Sequence, residues 1–110
     1  IIKKDLNNAI QIFSLIISLD PSWAEAWNKR ATALYLSGKY EDSINDIKKV
    51  LEIEPRHFGA ISGLSLNQIE LKNYEQALRS YKEALKIYPT MEVARKMIPL
   101  LKDLIKGQKT

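Results

Sequence analysis

Helical spacing governs the apolar positions of this chain from one end to the other. Trp27, Arg30, Ala31 and Leu34 fall at i, i+3, i+4 and i+7, one stripe of a helix. Ile44, Ile47, Val50 and Leu51, with Ile53 at the end, form a second stripe. No segment alternates with period two, so the pattern predicts helices and no strands. Local signals mark the ends. Ser22 with Glu25 has the spacing of a capping box, which starts a helix. Gly38 ends that helix because glycine accepts a left-handed conformation. Glu54-Pro55 stops the next, since the residue before proline is pushed out of the helical region. A second pair follows, Arg56 to Lys72, a turn at Asn73, then Tyr74 to Ile87.

The two pairs repeat one frame. Pro21, Pro55 and Pro89 stand 34 residues apart, each after an apolar helical stretch. The same interval joins Leu6, Tyr40 and Tyr74, then Ala9, Ser43 and Ala77. It also joins Phe13, Ile47 and Tyr81, and Ile16, Val50 and Ala84. One helical hairpin cannot bury its apolar face alone, so such units stack and share a continuous core. The small Ala31 and Ser65 sit where neighbouring helices approach closely, and leucine at either should overpack the contact by about 1–3 kcal/mol.

This pattern resembles the tetratricopeptide repeat family, a 34-residue helix–turn–helix with tryptophan, leucine-glycine, tyrosine, alanine, aromatic and proline columns. Here the tryptophan is Trp27, followed by Ala31 in the glycine column and Leu34 in the tyrosine column. The alanine column holds Ser43 and Ala77, the aromatic column Ile47 and Tyr81, and the proline column Pro55 and Pro89. The second unit departs further, with Ile61 for tryptophan and Leu64-Ser65 for leucine-glycine. The resemblance implies an all-α, right-handed helical solenoid of about six helices in one domain, residues 1–110. Residues 1–21 match the second half of an incomplete repeat whose first helix would lie upstream of Ile1. Residues 22–55 and 56–89 are full repeats, 90–106 a closing helix and 107–110 a tail. Pro99 inside the closing helix is expected to bend it.

Composition narrows the chemistry. The chain is 110 residues long, 45% hydrophobic and 27% charged, an ordinary globular mixture. The absence of cysteine excludes disulfides, thiolate zinc sites and a cysteine nucleophile. The longest apolar stretch, Phe13 to Leu19, is interrupted by Ser14 and Ser18 and too short for a span. Lys3 and Lys4 are followed by Asp5 and two asparagines, unlike a signal peptide, so a soluble chain is expected, with the cytoplasm favoured. His57 is the single histidine, at a helix start, and is expected to be structural. No metal-ligand spacing and no cofactor motif is present, so no cofactor and no catalysis are expected. Net charge is +4, and +3 of it lies from Glu92 to Thr110, where Arg95, Lys96, Lys102, Lys106 and Lys109 face Glu92 and Asp103.

What remains is binding. Stacked repeats create a concave surface lined by the first helix of each pair. The expected groove residues are Asn28, Lys29, Thr32, Tyr35 and Leu36, then Gly59, Ser62, Gly63, Leu66 and Ile69, then Met97 and Leu100. Gly59 and Gly63 share one helix face at a cost of about 1 kcal/mol each relative to alanine, which points to close backbone packing or room for a ligand chain. Family members that grip a chaperone's C-terminal carboxylate use a lysine, asparagine and arginine clamp on this surface. The matching positions here hold Asn28, Thr32, Gly63, Val93 and Met97, which argues against that ligand. The sequence therefore predicts non-catalytic binding of a protein or peptide partner in the groove. Two alternatives stand beside it. One is homo-oligomeric self-assembly, most simply a homodimer through Leu6, Ile10, Phe13 and Ile17 at the unpaired end. The other, disfavoured, is nucleic-acid or acidic-surface binding through the basic closing helix.

Overall fold

A computed structural model describes residues 2–109. Six helices follow one another: α1 (Ile2–Leu19), α2 (Ala24–Leu36), α3 (Tyr40–Ile53), α4 (Phe58–Glu70), α5 (Tyr74–Ile87) and α6 (Glu92–Lys109), with no strand among the described residues. Each helix packs on the next, and α2 also touches α4, the neighbour relation of stacked hairpins. The array measures 46 × 31 × 19 Å.

The punctuation works as proline and glycine chemistry dictates, with two exceptions. Glu54 and Tyr88, each before a proline, leave the helix at φ −131°, ψ 87° and φ −129°, ψ 82°. Gly38 takes φ +79° at the α2–α3 turn, and the Lys39 N–H closes back on the Leu34 carbonyl at 2.9 Å. One frame later the Asn73 N–H closes on the Gln68 carbonyl at 2.8 Å, but the left-handed residue is Lys72, at φ 62°, not Asn73. The turn position is fixed by the frame, so the residue in Gly38's column adopts it whatever its side chain. The second exception is the capping box. Trp23, about half exposed, is the capping residue of α2 and makes no side-chain cap. Ser22 instead donates its hydroxyl to Asp20 Oδ1 at 2.8 Å, a local turn that competes with capping.

The repeat columns form the core. Ile47, Tyr81, Val50, Ala84, Ser43 and Ala77 are buried, while their α1 counterparts Phe13, Ile16 and Ala9 are half-buried. Ala31 and Ser65 are buried as expected of close-approach positions, whereas Ile53 turns out to solvent. One core cluster centres on Ala24, Ala31, Ile47, Val50 and Ala60, the other on Ile61, Tyr81, Met91 and Leu101, and Leu51 packs against both. Helix α6 continues through Pro99 and extends to Lys109, three residues beyond 106. Residues 107–109, expected as tail, are thus its last turn.

Candidate functional site

Helices α2 and α4 flank a groove of about 370 Å³. Small residues make it. Ala31 lies on the α2 side and Gly59 and Gly63 on the α4 side, with Ser43 and Ile47 of α3 below. A Cβ on Gly63 would stand 3.4 Å from Ile47 Cδ1, ordinary contact distance, with the rest of a side chain left to enter the groove. A Cβ on Gly59 would stand 3.2 Å from His57 Cε1, so any larger residue there would have to push that ring aside. Apolar side chains edge the groove without being covered: Leu36 is 62% exposed, Phe58 50% and Leu66 38%.

A polar chain holds the floor. The Ser43 hydroxyl donates to the Ala31 carbonyl at 2.7 Å and accepts from Asn67 Nδ2 at 3.0 Å, and the same amide reaches the Gly63 carbonyl at 3.0 Å. These bonds tie α2, α3 and α4 together beneath the groove. At its rim His57 caps α4, its Nδ1 accepting from the Ala60 N–H at 3.1 Å. With Nδ1 an acceptor, the ring proton sits on Nε2, 3.3 Å from Glu25 Oε2. That hydrogen bond holds the Glu25 carboxyl below its ordinary range, against a smaller opposing effect of burial. Burial pushes the Tyr35 phenol up, and its ring meets Tyr40 edge-on at 5.6 Å.

Asn28, Thr32, Tyr35, Leu36, Gly59, Ser62, Gly63 and Leu66 all line this groove. Lys29, Ile69, Met97 and Leu100 do not: Ile69 and Met97 pack against the second core cluster, and Lys29 and Leu100 lie exposed elsewhere. The groove is lined by α2, α3 and α4 alone, and α6 contributes nothing to it, Leu100 being exposed outside it. Phe58 and Asn67 line it without having been expected. Phe58 had a signal, a phenylalanine in the column where the first repeat has Ala24, too large for the same buried position. It stands outside and packs edge-on against Tyr88 at 5.2 Å.

The expected self-association residues are also redistributed. Ile17 is buried, and Leu6, Ile10 and Phe13 are half-buried, because they lie on the side of α1 that packs into the array. The uncovered stripe is Ile12, Leu15 and Leu19, at i, i+3 and i+7. Among the described residues no helix is long and apolar enough to cross a membrane, and no cluster of potential metal ligands is present.

A 34-residue helical hairpin stacked on its own copy, with a concave groove between first helices, defines a helical-repeat protein. Tetratricopeptide repeat models match residues 24–57 and 59–91, and the chain belongs to that family. A TPR repeat-containing protein of Rhizobium etli is 37% identical over 102 residues, which is 93% of this chain and 50% of that protein. The chain thus spans half the length of that relative. Among solved structures, the first TPR of Spaghetti (RPAP3) bound to HSP90 peptide SRMEEVD superposes with a TM-score of 0.82 at 18% identity, covering 92% of this chain and 82% of that one. The TPR2B domain of yeast Sti1 in its pHsp70 complex gives 0.78 at 25% identity over 96% and 86%. This architecture serves protein–protein interaction.

Proposed function

We propose that the α2–α4 groove binds an extended or helical segment of a partner polypeptide through apolar side chains. The carrying observation is the conjunction of a floor of Ala31, Gly59 and Gly63 with uncovered Leu36, Phe58 and Leu66 at its edges. Exposed apolar groups around a concave surface gain most from a ligand that covers them. The domains bound to chaperone peptides support polypeptide binding as the class of function. The clamp positions support a different chemistry of ligand here. Asn28, Thr32 and Gly63 meet in the groove without a cation among them, and Val93 and Met97 on α6 are apolar. We therefore assign this groove to internal, apolar segments in preference to a terminal carboxylate.

The test is selection of binders from a displayed random-peptide library, followed by affinity measurement against Gly63→Leu. That side chain clears Ile47 with its first carbon and fills the groove with the rest. The selected peptides are expected to be rich in Leu, Ile and Phe, and to lose at least tenfold in affinity while circular dichroism stays unchanged. Equal binding to Gly63→Leu would show that the groove is not the site.

A further inference from the structure

Residues 27, 61 and 95 share one column of the 34-residue frame. Two of them donate an N–H to the carbonyl of the proline six residues earlier. Trp27 Nε1 reaches the Pro21 oxygen at 2.9 Å, and Arg95 Nε reaches the Pro89 oxygen at 3.1 Å. Ile61 carries no donor, so the Pro55 carbonyl receives no bond from its own column.

The space an indole would fill is open as well. A groove of about 640 Å³ runs along α3, α4 and α5 and shares no lining residue with the α2–α4 groove. Its walls include Pro55, Ile61, Leu64 and Glu83. These are the counterparts of Pro21, Trp27, Arg30 and Lys49, which in the first repeat all meet at one indole. Arg30 Cζ lies 5.2 Å and Lys49 Nζ 5.8 Å from that ring's centroid. In the second repeat a branched aliphatic residue leaves the same volume to solvent.

Charge decides between the two donors the column uses elsewhere. Arg79, Lys82 and Lys86 line the groove against a single carboxylate, Glu83, which Lys86 already holds at 2.9 Å. An incoming guanidinium would be repelled, while a neutral indole flanked by carboxylates is attracted. We propose that the α3–α4–α5 groove receives a tryptophan side chain from an acidic segment of a partner protein, its indole N–H directed at the Pro55 carbonyl. The inference does not rest on the α2–α4 reading.

The experiment titrates the ¹⁵N-labelled full chain with Ac-Asp-Trp-Glu-NH₂ and, as control, Ac-Asp-Ala-Glu-NH₂. Saturable amide shifts at Ile61, Leu64, Glu83 and Ala84 are expected with the tryptophan peptide, and binding at least tenfold weaker with the control. Ile61→Trp should fill the groove from within and abolish those shifts. Because that substitution alters a buried position, the exposed pair Arg79→Glu/Lys82→Glu provides an independent arm. It should weaken binding at least fivefold at low salt and less at high salt. Gly63→Leu should leave this titration unchanged, which separates the two grooves. Absence of saturation at millimolar peptide, shifts confined to Gly59 and Gly63, or equal affinity for the charge-reversed pair would overturn the proposal.

Discussion

Two successive repeats of this chain follow one backbone plan and hold it by different means. In the first, Arg30 grips Asp46 with two bonds of 2.8 Å and reaches back to Ser14 on α1 at 3.1 Å, with the Trp27 indole beside it. In the second, the same columns hold Leu64, Ser80 and Ile61, where the Ser80 hydroxyl donates to Gln68 Oε1 at 2.7 Å, and the two ends of the repeat are joined by the Tyr88 hydroxyl donating to the Arg56 carbonyl. The first repeat is thus pinned by charge across three helices, whereas the second has no ion pair in those columns and leaves a groove open. Backbone geometry set by proline spacing and turn closure does not depend on which of these side-chain solutions is used. The freedom at those columns is where the two repeats can diverge in what they bind.

Transplanting residues between repeats breaks the comparison most strongly at the ion pair. Arg30→Leu copies the second repeat but leaves Asp46, whose side chain is only 6% exposed, without its partner. A loss of about 3 kcal/mol in urea unfolding is expected. Arg30→Leu/Asp46→Ser, the full copy, should recover most of it, and an equal loss in the double variant would show that the pair is not what holds the first repeat.

The turns give a smaller, oppositely signed effect. Lys72→Gly relieves a left-handed lysine and should raise stability by about 1 kcal/mol, while Gly38→Ala should lower it by about as much. If both changes act with the same sign in thermal unfolding, the two turns are not equivalent.

The smallest effect is at the joint between repeats. Glu25 is held below its ordinary value by the His57 hydrogen bond. A depressed carboxyl contributes stability above its unfolded pKa and loses it as the pH falls through the folded one. The stability advantage of wild type over Glu25→Gln should therefore be full above pH 4.5 and disappear on further acidification. An advantage that persists or grows in acid would contradict the assignment.

Much of the fold is legible in the sequence because proline restricts the backbone to few conformations and glycine readily takes the left-handed turn that other residues avoid. Pro21, Pro55, Pro89 and Gly38 announce the frame, and the buried columns follow from it. The misreadings share a cause, competition between local options. Asn73 tolerates a left-handed turn, but the frame places that turn at Lys72. Ser22 can cap a helix, but Asp20 engages it first. Eight groove residues follow from the frame, while Ile69 and Met97 pack against the core because an apolar residue on a helix reads alike whether it lines a groove or faces the core. Asp46 gave no apolar signal at all, and only the fold shows it facing Arg30.

Whether binding resides between α2 and α4 is decided by a ¹⁵N shift map of a library-selected peptide bound to the full chain. Saturable changes are expected at Thr32, Leu36, Gly59, Ser62, Gly63 and Leu66. A saturable map confined to other surfaces, with these six amides unmoved, would contradict binding there.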